Sequence, residues 1–353
     1  MTEIPLFLKS LISVSGLSGY EAPVADLIKE RWRPFVDEIS LSRVGSLHGL
    51  KRGTGKSPRP SLMVATHMDA IGMQVSQLVD GFLHIAPVGG IDVRVLPGAE
   101  VTVHASRSNE ELPGVVVLPP ARFLPESAGD KILIEHLLVD TGLLPREVTK
   151  KVCIGDLVSF ANPPLELAGD VLSGHTVDNR ASIAALTICL EELQNKPHVW
   201  DLWAVATVQE ETTYLGAYTS SFALRPQMAI VVDGTFAKGP GANGWQTSAM
   251  GKGVGLCIGP NMHPFLHKKL KELADRLEIP WFLDVSPGDS GTDAFAVQVT
   301  AEGIPTALVE FPIRYMHTPV ESVSWKDIQR VGRLLAEFVT SLEEDFIESI
   351  VWE

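Results

Sequence analysis

From about residue 170 onward the chain repeats one alternation, and nothing else in it restricts the fold so strongly. "WDLWAVATVQ", "QMAIVVDG" and "IPTALVEFP" are apolar, β-branched runs that read as strands. Between and after them lie "DNRASIAALTICLEELQN", "HPFLHKKLKELADRLE" and "SWKDIQRVGRLLAEFVTSLEE", longer runs with helical spacing of their apolar residues. Strands joined through helices pair in parallel. The expected fold class is therefore α/β: a mixed, largely parallel sheet sandwiched by helices. Ser324 is expected to cap the last helix. Two more helices are expected over Pro5–Val14 and Glu21–Trp32, with the turn-forming "SGLSGYE" between them.

The alternation is interrupted. "GMQVSQL", "GFLHIAPV", "EVTVHAS" and "PGVVVL" are short β-rich runs punctuated by Gly and Pro, with one helical segment expected over Lys131–Val139. This divides the chain into an α/β domain of residues 1–69 and 170–353 and an inserted small β domain of residues 70–169. The net charge of −14 argues against nucleic acid or an anionic membrane as partner. Cys153, Cys189 and Cys257 lie far apart with no Cys-x-x-Cys, which disfavours a disulfide framework and favours a reducing, cytoplasmic setting. "MTEIPLFLKSLISVSG" lacks the basic start and long apolar stretch of a secretory signal, and no apolar run reaches the length of a membrane span.

Acidic residues and histidines collect at the strand ends of the α/β part. "LMVATHMDA" ends in His67 and Asp69, and "SGHTVDNRA" presents Asp178 ahead of a helix. "ATVQEETTYLG" places Glu210 and Glu211 side by side, "AIVVDGT" ends in Asp233, and "PIRYMHTPVE" carries His317. Open α/β sheets bind ligands at such an edge. Taken alone, paired glutamates before "TTYLGAYTSSF" also suit the first turn of a helix. Taken together, so many carboxylates at one edge repel each other unless cations bind. Nitrogen and oxygen donors without thiolate suit Zn²⁺, Co²⁺ or Mn²⁺, and there are more donors than one tetrahedral ion uses.

His-x-Asp, Asp-x-Arg, Glu-Glu, Asp and Arg-Tyr-x-His-Thr, in that order, resemble the M42 family of dinuclear metallo-aminopeptidases, the glutamyl, deblocking and tetrahedral aminopeptidases, some of them named endoglucanases. "SGLSGYE" and "SGTDAFAV" match in order and spacing too, and the resemblance covers residues 5 to 345. It implies a peptidase using two divalent ions per subunit, zinc or cobalt. Asp178 would bridge them, with His67 and Asp233 completing one site and Glu211 and His317 the other. Glu210 would be the general base acting on a metal-bridging hydroxide, and Asp69 would orient and polarise His67. Gly291, Thr292 and Asp293 would lie beside the substrate. The resemblance also implies peptide substrates and a dodecameric homo-oligomer assembled through the inserted domain. Arg180 is expected to pair with an acid, and His175 is a candidate for the substrate region.

Four positions depart from the family pattern. Asn179 stands where a second Asp is usual, Thr212 and Thr213 follow the paired glutamates, and Gly234 follows Asp233. The rival readings are a glycoside hydrolase, a metal-stabilised scaffold without turnover, and a related deacetylase or carboxypeptidase-like hydrolase. A sugar site needs two carboxylates but has no use for His67, Asp233 and His317 together. A scaffold has no use for Glu210, and a carboxypeptidase-like site would need an arginine that the sequence does not place.

Overall fold

The computed structural model describes residues 3–120, 122 and 131–352. An 11-stranded mixed sheet forms its larger part. Asp201–Thr207, Ser61–His67, Met228–Phe236 and Thr306–Arg314 lie side by side at the centre and run parallel. Leu47–Lys51 on one flank, and Glu321–Ser324 and Val171–Gly174 on the other, pair antiparallel. Val254–Ile258 and Trp281–Val285, off this path, also pair in parallel, so the sheet is mixed as expected. The four central strands sit where both faces are covered, as parallel strands require.

Alternation along the strands divides the core. Leu62, Val64, Ile230 and Val232 face helices Glu3–Ile12, Ala22–Trp32, Val177–Glu192, Pro264–Arg276 and Trp325–Thr340. Met63, Ala65, Ala229 and Val231 face Leu215–Leu224 and Asp293–Gln298 on the other side. Each fully buried Leu, Ile, Val or Met side chain among them contributes about 1.5–3 kcal/mol. Because the central strands share one direction, their carboxyl ends gather along one edge.

The intervening chain forms a closed barrel of Gly72–Val79, Phe82–Val88, Leu138–Asp140, Glu110–Val117, Glu100–Ala105 and Leu157–Phe160, in that spatial order. Its own core holds Met73, Val75, Leu83, Val103, Val116 and Val158. The helix expected over Lys131–Val139 does not form. A 3₁₀ turn covers Ile134–His136, and Val139 pairs with both Leu83 and Val116 to close the barrel. A short apolar run has no decisive period of its own, so barrel pairing decides its state. The chain leaves for the barrel just after Asp69 and returns through Val171–Gly174 just before Asp178. The insertion therefore opens beside one acid of the sheet edge and closes beside another.

Ser324 occupies the N-cap position of Trp325–Thr340, but its side chain makes no capping bond. It is still paired in the sheet, opposite Val171. Asp327, in the first helical turn, instead accepts from the N–H groups of Gly251 and Gly253 and pairs with Arg330 at 3.0 Å. Among the described residues no helix is long and apolar enough to cross a membrane.

One buried histidine makes stability depend on pH. His48 Nε2 lies 2.9 Å from Ser220 Oγ, and burial lowers the imidazole from 6.5 to about 4. The unfolded chain therefore takes up this proton first as pH falls. The contribution of neutral His48 is complete above pH 6.5 and is lost progressively down to about pH 4. Between pH 7.5 and 5 this amounts to about 2 kcal/mol. Denaturant midpoints at the two pH values should fall further in the wild type than in His48→Gln, which keeps a partner for Ser220 but does not titrate.

Candidate metal centre

His67 ends the Ser61–His67 strand and is 1% exposed. Its Nε2 lies 3.2 Å from Asp178 Oδ1, 3.7 Å from Asp233 Oδ1 and 3.8 Å from Glu210 Oε2. On its other side Nδ1 is 3.4 Å from Asp69 Oδ1, too long for a well-formed hydrogen bond. Across the site, His317 Nε2 lies 3.5 Å from Glu211 Oε2 and 3.6 Å from Asp178 Oδ2. His67, Asp178 and Asp233 have donor atoms within 4.8 Å of one another, and so do Asp178, Glu211 and His317. These two triads share Asp178, and His67, Glu210 and Glu211 form a third group of donor atoms within the same distance.

The paired glutamates sit on a turn held from below. Asp69 accepts from the backbone N–H of Glu210 at 3.0 Å with Oδ1 and of Glu211 at 3.2 Å with Oδ2. Ser18 Oγ donates to Asp69 Oδ2 at 2.7 Å and lies 3.0 Å from Thr212 Oγ1. Glu21 Oε1 accepts from the N–H groups of Gly19 and Gln209 at 2.7 and 3.1 Å. "SGLSGYE" thus buttresses the turn, and Thr212, a departure from the family pattern, supplies one of the contacts. Gln209 and Tyr214 flank the turn at φ 56° each, a left-handed backbone that non-glycine residues adopt at some cost. The result splits two neighbouring carboxylates: Glu210 faces His67 while Glu211 faces His317.

Asp178 is placed by a residue that the sequence reading missed. Glu321 Oε2 accepts from the Asp178 N–H at 2.9 Å, and Oε1 from the His317 N–H at 2.8 Å. One buried carboxylate thereby fixes two members of the second triad. Its signal was present, since Glu321 closes "PIRYMHTPVE". Asn179 also has a use. Its Nδ2 donates to Val232 O at 2.9 Å, which an aspartate could not do, and ties Asp178 to the strand that carries Asp233. In Glu321→Gln the new amide must face one of the two N–H groups, so one bond is lost. Metal affinity should fall roughly 10–100-fold, the usual scale for a residue that orients ligands. Calorimetric titration of the metal-free protein with zinc checks this; unchanged affinity would contradict it.

The charges here do not balance without a cation. Burial raises Glu210, Glu211 and Asp233 well above the ordinary carboxylate range, and neighbouring acids add to it. Burial opposes charge on His67, yet Glu210, Asp178, Asp69 and Asp233 outweigh it and hold the imidazole well above its usual value. Burial also acts on Asp69, where the contacts from His67, Ser18 and the Glu210 N–H prevail and lower it. Asp178 Oδ1 is buried with no hydrogen-bond partner. Divalent cations would satisfy that oxygen and relieve the repulsion, and the oxygen and nitrogen donors suit zinc or cobalt.

The remaining expected residues separate. Gly291 and Thr292 line the same cleft of about 550 Å³ as the triads. Asp293 is fully buried behind it, where Oδ2 accepts from Thr207 Oγ1 at 2.5 Å, so its carboxylate supports the cleft from behind. His175 is absent from the cleft lining and packs against Phe160, with ring centroids 6.4 Å apart. Among the described residues Arg180 makes no ion-pair contact; its Nη1 donates to the carbonyls of Leu11 and Val14, at the carboxyl end of the first helix. Gly234 leaves space for its neighbours. A Cβ there would come within 2.6 Å of Ile313 Cδ1 and 3.1 Å of Met316 Cε.

The model of the M42 glutamyl aminopeptidase family matches residues 45–334, most of the chain and nearly all of the centre. The chain belongs to this family. With M42 membership comes aminopeptidase activity, and M42 aminopeptidases are metal-dependent. The M42 chain is 33% identical to a lysyl aminopeptidase of Pyrococcus furiosus over 342 residues, 95% of this chain and 96% of the relative. Among solved structures it resembles a TET aminopeptidase of the marine sediment archaeon Thaumarchaeota archaeon SCGC AB-539-E09. There the TM-score is 0.92 and the identity 27%, over 99% of each chain. It also resembles the TET1 peptidase of Pyrococcus horikoshii, which can assemble into a tetrahedron or a large octahedral shell, with TM-score 0.82 and 26% identity over 96% of this chain and 100% of the other.

Proposed function

We propose that this M42 aminopeptidase holds two divalent cations, zinc or cobalt, at the paired triads and removes N-terminal residues from peptides. The observation that carries this reading is the sharing of Asp178 between two triads of nitrogen and oxygen donors, the first of them fully buried. His67 and Asp233 would hold one ion, Glu211 and His317 the other, and Asp178 would contribute to both. Bound there, the ions supply Lewis acidity, easing deprotonation of water and drawing charge from a carbonyl oxygen.

The chain's own residues do the rest. Glu210 is 8% exposed, lines the cleft and stands outside the two triads that share Asp178, although its carboxylate also groups with His67 and Glu211. Its carboxylate takes a proton from the attacking water and returns it to the departing amine. Asp69 fixes the Glu210–Glu211 turn and stands behind His67 as its orienting carboxylate. Gly291 and Thr292 face the substrate from across the cleft. Assembly into a large homo-oligomeric shell, up to a dodecamer, belongs to the same reading and is supported by the likeness to TET peptidases. Its intracellular setting would be the cytoplasm.

Chelation tests the function. Hydrolysis of chromogenic aminoacyl amides should disappear after dialysis against a chelator and return with zinc or cobalt. Hydrolysis that survives complete metal removal would contradict the proposal.

A further inference from the structure

The cleft contains an acidic group that the metal centre does not use. Glu310 lies on the Thr306–Arg314 strand opposite Asp233 in parallel register, so the two side chains share one face of the sheet. Its neighbour on the other side is Gly255, where an added Cβ would come within 2.9 Å of Glu310 Cβ. Glycine there gives the glutamate its space. Glu310 lines the cleft and is 6% exposed, and its Oε2 has no hydrogen-bond partner. Asp284 lines the cleft beside it, held by Thr235 Oγ1 at 2.6 Å and the Val285 N–H at 2.8 Å.

Among the described residues neither carboxylate is paired with a cation. Among the described residues lining the cleft there is no lysine or arginine. Burial first, then the charge of Asp284 and a hydrogen bond with it, then Asp233, raise Glu310 well above the ordinary range. A buried carboxylate is stable when charged only beside a positive partner. Apolar surface adjoins the pair. Leu308 precedes Glu310 by two positions on the same strand face, and Cys257 pairs in register with Asp284; both line the cleft.

We propose that Glu310 and Asp284 form the subsite for the side chain of the peptide's first residue, and that it selects lysine or arginine. This rests on the aminopeptidase reading above. A basic side chain lays its methylene stem along Leu308 and Cys257 and brings its positive end between the carboxylates. An acidic side chain would add a like charge to the pair, and a leucine would leave Glu310 buried without a positive partner.

Lysyl, arginyl, leucyl and glutamyl chromogenic amides, assayed with the metal-loaded enzyme, test the assignment. The lysyl and arginyl amides should show the highest kcat/KM. Glu310→Gln and Asp284→Asn should each lower the ratio of lysyl to leucyl kcat/KM roughly 10–100-fold, the scale of a lost charged hydrogen bond. Asp284 is partly exposed, so its variant serves if the buried one does not fold. A leucyl or glutamyl preference in the wild type overturns the subsite and leaves the aminopeptidase reading standing. A ratio unmoved in a folded variant overturns it as well. Absence of turnover on every amide defeats the aminopeptidase reading, and the subsite falls with it.

Discussion

Replacing Glu210 with Gln should lower kcat by roughly 10²–10⁴-fold, the range that general acid–base catalysis supplies, while metal content stays at the wild-type level. The amide is isosteric, and the turn is held by backbone bonds to Asp69, which the substitution does not touch. The variant can neither take a proton from water nor deliver one to the amine. KM should change little, because the side chain is assigned no contact with the ground-state substrate. Kinetics on one aminoacyl amide, with metal analysis of the same sample, separates this from a ligand role. Loss of metal in parallel with activity would make Glu210 a ligand, and full activity would remove it from the chemistry.

Asp178→Asn has the other large expected effect. Asp178 offers Oδ1 toward His67 and Oδ2 toward His317, so both halves of the centre depend on one carboxylate. An amide keeps one oxygen and loses the negative charge. The backbone bond from the Asp178 N–H to Glu321 remains, which keeps the local fold. Activity should fall at least about 10³-fold, on the order of 4 kcal/mol of transition-state stabilisation. The variant should also bind fewer than two ions at metal concentrations that saturate the wild type. Calorimetric titration and aminoacyl amide hydrolysis together check both statements; wild-type stoichiometry with wild-type turnover would contradict them.

The central strands were legible because "LMVATH", "WAVAT" and "AIVVD" are long and apolar enough to be buried on both faces. The residues at their ends were legible for the same reason: a charged side chain that follows such a run must sit at the sheet edge. Local patterning failed where long-range pairing decides the outcome. The stretch around Ile134 became a turn and a strand because barrel closure needs Val139 between Leu83 and Val116. Which strands of the mixed sheet run antiparallel is not legible, because Leu47–Lys51 and Val171–Gly174 are short and carry no direction in their sequence. Glu321 and the Asp69 cradle were missed because their partners are backbone N–H groups, which leave no trace in residue identity. The same holds for Arg180, expected to pair with an acid: the backbone carbonyls that it serves are equally invisible in the sequence. Glu310 sits inside "IPTALVEFP", where one acid in an apolar strand could be read only after Gly255, Asp284 and Asp233 were seen around it.

Anomalous scattering at the zinc or cobalt edge, from crystals grown with that metal, measures the central feature directly. Two peaks should appear in each chain. One should lie among His67, Asp178 and Asp233, the other among Asp178, Glu211 and His317, each at coordination distance from its three side chains. A single peak held by other residues, or no peak in crystals of active enzyme, would contradict the paired-ion account.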